Sequence, residues 1–128
     1  MIKNTLLVAA MSLAILALSV PARAHHSAAA QFDVSQEFVL TGVLTQLQDI
    51  NPHSIWHLDV KGEDGKVTAW KLEGVNPNGL RRLGLSIKTD LKIGGTYSFT
   101  VAPSRDGSKY AFLKAITING KKFQMVEL

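Results

Sequence analysis

The sequence predicts an all-β fold, a small five- to six-stranded OB-like Greek-key barrel with one short helix, preceded by a cleaved signal peptide. Three observations lead there. Short runs rich in β-branched and aromatic residues recur between Gly, Asn, Asp and Pro turn signals. The one helical pattern falls between the third and fourth of these runs, which is where this barrel type carries its helix. The first 24 residues have the order of an export signal and stand apart from the rest.

The leader comes first. Lys3 precedes an apolar run from Leu6 to Val20, Pro21 ends it, and Ala22-Arg23-Ala24 puts small residues where a signal peptidase reads. The run is shorter than the roughly 20 apolar residues a membrane span requires. The expected organisation is therefore a signal peptide over 1–24 and a single OB-like domain over 25–128, located in the periplasm, with no membrane association once the leader is removed.

The strands follow in order. Residues 37–50 form a long first strand, with Gly42 expected to bend or bulge it. Asn51-Pro52 is a turn, and Trp56, Leu58 and Val60 alternate on one face of the second strand. Asp64-Gly65 suits a hairpin turn into a third strand over 67–73. Asn76 followed by Pro77 reads as an N-cap with proline in the first turn, a short helix over 80–83, and a stop at Gly84. Residues 96–102 form the fourth strand, with Tyr97, Phe99 and Val101 on one face. Ser104 to Ser108 turns the chain into a fifth over 110–118, and Asn119-Gly120 permits a hairpin into a last strand over 122–126.

Composition narrows the function classes. The chain has 14 basic and 10 acidic residues; Lys3 and Arg23 leave with the leader, so 12 against 10 give the remainder a formal charge of +2. That near balance argues against a nucleic-acid partner. With no cysteine, thiolate metal sites and cysteine nucleophiles are excluded, and the fold rests on its core.

The four histidines, His25, His26, His53 and His57, all precede residue 58. Imidazole suits copper, zinc, nickel and iron. Cleavage after Ala24 would make His25 the first residue, and its α-amine, with an unperturbed pKa of about 8, could then chelate one metal ion together with its own Nδ1. A second imidazole completes a T-shaped set of three nitrogens, an arrangement similar to the histidine brace of copper monooxygenases and of some periplasmic copper carriers. His53 and His57 would stand about 13 Å apart along a strand, so one ion takes only one of them. His53, at a loop edge, is the expected partner; His57 is expected on the solvated face opposite Trp56 and Leu58. His26 is a supporting candidate. Asp33, Asp49 and Glu73 become candidates only through the fold. Against this stands the reading of idle surface histidines at a loose terminus.

Other features are weighed the same way. Trp56 and Trp70 are expected in the barrel core rather than as a stacking platform. Glu73 is either an orienting partner of a ligating histidine or an ion-pair partner of Arg81 or Arg82. No Ser–His–Asp order, glycine-rich phosphate loop or EF-hand loop occurs, and nothing in the sequence calls for catalysis.

Several short motifs fall in order along the chain: HHS and FD near its start, LTGV, NPH before a strand ending LDV, DGKV, W-x-x-E, NPNGLRRLG, LKIGG and PSRDG. Together they resemble the DUF6152 family of small exported bacterial proteins of unknown function, over His25 to about Gly120. The resemblance implies export and a small β-barrel but no activity. It emphasises His25, His26, Asn51, Pro52, His53, Trp70, Glu73 and Arg82. Trp56 and His57 fall where the family pattern is looser, and Val75 and Gly95 stand where a glycine and an aspartate would be expected.

Two functions of different class follow as expectations. In the first, the protein binds a divalent metal ion, copper before others, through His25 and His53, with His26 or Glu73 in support. The same donor set would also serve a copper-dependent oxidase. In the second, Asn51, Glu73 and Arg82 present a barrel face to a small ligand or a periplasmic protein partner.

Overall fold

The computed structural model describes residues 28–126. The leader, His25 and His26 lie outside the described residues. Within them, six strands run β1 Phe38–Gln48, β2 Ser54–Lys61, β3 Val67–Gly74, β4 Thr96–Pro103, β5 Tyr110–Ile118 and β6 Lys121–Gln124. They form one sheet in the order β3-β2-β1-β4-β5-β6. An additional parallel pairing of β3 with β5, Lys71↔Tyr110, Leu72↔Ala111 and Glu73↔Phe112, closes the first five strands into a barrel. This is the expected OB-like order. Because β4 occupies one edge of β5, β3 and β6 divide the other edge between them.

Alternation places the core. Trp56 and Leu58 of β2, Leu72 of β3, Phe99 and Val101 of β4, and Leu113 and Ile116 of β5 are fully buried and meet in one cluster. Trp56 Nε1 donates to Ser54 Oγ at 2.9 Å, and Ser54 Oγ donates to the Val75 carbonyl at 2.6 Å, so the buried indole is satisfied. Gly74 makes that possible: a Cβ there would lie 2.9 Å from both Ser54 Oγ and Trp56 Nε1.

The turns follow the sequence chemistry. Gly65, Gly84 and Gly120 all have positive φ, as their hairpin and helix-stop positions require. Helix α2, Pro77–Arg82, begins where Asn76 Oδ1 accepts from the Gly79 amide at 2.8 Å.

Several expectations need correction. Among the described residues there are three short helical segments where one was expected: α1 Ala28–Gln31, α2, and α3 Ile87–Asp90. The four-residue turns α1 and α3 are too short to show a 3.6-residue period. The first strand bulges between Leu44 and Gln46, at Thr45, and not at Gly42. Gly42 instead lets β2 approach closely, since a Cβ would meet the Asp59 carbonyl oxygen and Val60 Cγ2 at 2.9 Å. Trp70 is half-buried: it packs on Phe38, with Lys109 Nζ 5.0 Å from its ring centroid.

A second apolar cluster lies on the outside of the barrel. Ala102 and Phe112 alternate with the core residues Val101, Ala111 and Leu113, so they face outward, and Phe32 covers them at 1% exposure. The chain from α1 to Val34 is thus strapped across β4 and β5. Asp33 N donates to the Pro103 carbonyl at 2.8 Å, Arg105 N to the Gln31 carbonyl at 2.9 Å, and Arg105 Nε to the Ala29 carbonyl at 3.0 Å. The chain is anchored from Ala28 onward, while the two histidines expected at a loose terminus lie outside the described residues.

Candidate functional site: a histidine held by a carboxylate and a tyrosine

His53 sits between the cis Asn51–Pro52 peptide and the first residue of β2. Glu73 is on the outward face of β3, since its neighbours Leu72 and Gly74 face the core. Tyr110 opens β5, two residue pairs from Glu73 across the parallel closure. Glu73 Oε1 bonds His53 Nδ1, and Tyr110 Oη donates to Glu73 Oε2. A carboxylate only accepts, so Nδ1 carries a proton, and in the neutral ring the lone pair is on Nε2. The Glu73 side chain is 17% exposed and that of His53 44%, so the orienting group is covered while the imidazole reaches solvent.

The tyrosine is held from three sides. Phe32 packs edge-on to it with ring centroids 5.1 Å apart, and Lys71 Nζ lies 4.9 Å from its centroid. Burial first, and then the hydrogen bond and charge of Glu73, push its hydroxyl well above the usual tyrosine value, so it stays a donor.

The other sequence candidates are placed differently. Glu73 pairs with His53 and Tyr110, and not with Arg81 or Arg82, because β3 is flanked by β2, which follows His53, and by β5, which Tyr110 opens. Arg81 bonds Asn78 within its own helix, and Arg82 and Asn51 are exposed. Asp33 is spent on Ser35 and Gln36; the Ser35 hydroxyl above all holds its carboxyl below the usual range. Asp49 lines a groove of about 550 Å³ with Arg81 and Lys88, formed by the end of β1 and the α2–α3 segment. His57 lies outward on β2 as expected, yet it is half-buried and its Nε2 is covered without a partner among the described residues.

Tyr110 is the member that the sequence reading missed. It lies 37 residues from Glu73, and only the parallel closure of the barrel joins them. Among the described residues, no three His, Asp or Glu side chains converge in a way that could hold a metal ion.

The Family of unknown function (DUF6152) matches residues 13–121. The chain belongs to this family. The match spans the strap, the barrel and the His53–Glu73–Tyr110 set. Comparison with curated proteins and with solved structures finds no match. No helix among the described residues is long and apolar enough to cross a membrane.

What the arrangement can do follows from its atoms. An imidazole whose Nδ1–H is bound by a carboxylate offers a fixed, electron-enriched Nε2, the form in which histidines ligate metal ions. Glu73 itself has both oxygens engaged and serves as an orienting group.

Proposed function

We propose that this member of the DUF6152 family is an exported, periplasmic metal-binding protein, and that its ion is a divalent metal taken up by nitrogen donors, copper first. After cleavage behind Ala24, the His25 amine and Nδ1 chelate the ion, and His53 Nε2 completes the set, with His26 adjacent in support. The observation that carries this reading is the Glu73-held Nδ1–H of His53, which leaves the Nε2 lone pair of the neutral ring for a ligand on a side chain that reaches solvent. Chain geometry supports it as well. Three residues, 25–27, precede the anchored Ala28, and three residues reach about 10 Å. The anchor belongs to the same aromatic cluster as Tyr110, whose hydroxyl bonds Glu73. Copper heads the order because nitrogen sites of this kind favour it among divalent first-row ions.

The test is intact mass of protein recovered from the periplasm, followed by copper titration of that material. The expected result is a chain starting at His25 with one tightly bound copper, lost in both His25→Ala and His53→Ala. A different start, or binding unchanged in these variants, would overturn the proposal. Attention would then pass to the exposed Asn51 and Arg82 as contacts for a small ligand or protein partner.

A further inference from the structure

We infer that Tyr110 is the positioning residue of this site, acting on His53 through Glu73 and on the N-terminal segment through Phe32. The inference rests on the metal-binding reading for its consequence, but its geometry stands on described residues alone.

Three observations converge on one ring. The hydroxyl of Tyr110 donates to Glu73 Oε2, which leaves Oε1 as the acceptor for His53 Nδ1–H. Phe32, the anchor of the strap, packs edge-on against the same ring. Lys71 Nζ lies over that ring at 4.9 Å, on β3 directly opposite Tyr110. A carboxylate with two free oxygens can turn about its terminal torsion and present either one to His53. With Tyr110 bound to one oxygen, that rotation is restricted, the plane of the carboxylate is set, and the imidazole is held with it. The tyrosine thus fixes His53 at one remove while seating the strap that leads back to His25. Its hydroxyl bonds Glu73 and not His53.

The role separates cleanly from packing. Tyr110→Phe keeps the ring and its contacts with Phe32 and loses only the bond to Glu73. The experiment uses the mature protein, in wild-type, Tyr110→Phe and His53→Ala forms. In the metal-free protein, ¹⁵N NMR of the imidazoles reads which nitrogen of His53 bears the proton. With copper(II) added, competition titration gives affinity and electron paramagnetic resonance gives the ligand geometry.

Wild-type His53 is expected as the Nδ1–H tautomer. In Tyr110→Phe, that tautomer becomes a mixture, copper affinity falls about tenfold, and the resonance parameters shift. An unchanged tautomer, affinity and spectrum in Tyr110→Phe, with tight binding lost in His53→Ala, would overturn the positioning role and leave the metal reading standing. Binding unchanged in His53→Ala would overturn the metal reading, and with it the consequence drawn here. Should Tyr110→Phe fail to fold, the wild-type tautomer still decides: an Nε2–H imidazole at His53 refutes the arrangement.

Discussion

Replacing Glu73 with glutamine removes one charge and one acceptor from the centre of the site. A glutamine side chain has a single acceptor oxygen and an NH2 that only donates. The partly buried Tyr110 hydroxyl takes the oxygen, so the NH2 faces His53 Nδ1, which then accepts and sends its proton to Nε2. Two charge-assisted hydrogen bonds become two neutral ones, a loss of about 1 kcal/mol each. The His53 side chain is 44% exposed, so solvent screens its half and the total is about 1–2 kcal/mol. For a domain of this size that lowers Tm by about 5–15 °C, readable by circular dichroism. Tyrosine absorbance gives an independent check. The Tyr110 hydroxyl is raised above its ordinary 10.0 by burial first and then by Glu73, so Glu73→Gln brings it only part of the way back. The linkage has a definite sign. A tyrosine raised in the folded state contributes stability that is present below pH 10 and lost as pH climbs toward the folded value. The wild type should therefore lose stability above pH 10 more steeply than Glu73→Gln. A variant with unchanged Tm and unchanged tyrosine titration would refute the hydrogen-bond assignment.

Three further outcomes are expected. Phe32→Ala removes a side chain that is 1% exposed, at a cost of up to about 3–5 kcal/mol, and hydrogen exchange should quicken at Asp33 and Arg105 while the Leu44 amide stays protected; equal acceleration everywhere would show strap and barrel to be one unit. Lys114 donates to Glu37 at 2.8 Å and holds its carboxyl below the ordinary 4.5, so the stability it contributes is present above pH 4.5 and lost as pH falls below it. Urea midpoints measured down the acid limb should fall less steeply in Glu37→Gln than in the wild type. Gly74→Ala pushes a methyl to within 2.9 Å of Ser54 Oγ and Trp56 Nε1, so a loss of about 1–3 kcal/mol and a red shift of Trp56 emission are expected on denaturation and fluorescence measurements.

Much of the barrel was legible because each turn carries its own chemistry. Asp64-Gly65, Asn119-Gly120 and the Asn76-Pro77 cap fix where strands and helix begin, and the alternation of Trp56 with Leu58 orients β2. The bulge at Thr45 was not legible, because a glycine three residues earlier is the stronger local signal for a bend. Trp70 was misjudged because alternation gives the face of a strand but not where its neighbour stops: the pairing of β3 with β5 begins only at Lys71, which leaves Trp70 at the open end of the barrel. At the site, His53 and Glu73 stood out by residue type. Their bond depends on β2 and β3 pairing Ile55 with Glu73, and its completion by Tyr110 depends on a parallel pairing that no local pattern encodes.

That parallel pairing also bears on how the chain comes to be competent. Hairpin pairings such as β2 with β3 join neighbours in sequence, whereas β3 with β5, like β1 with β4, joins distant segments, here residues 39 positions apart through three residue pairs. Loop-closure entropy makes such contacts late to form and early to open. Glu73 and Tyr110 lie on this short seam. A chain arriving unfolded would therefore bring Glu73 to His53 with the β2–β3 hairpin and gain Tyr110 only when the barrel closes, so the complete set of three would report completion of the barrel.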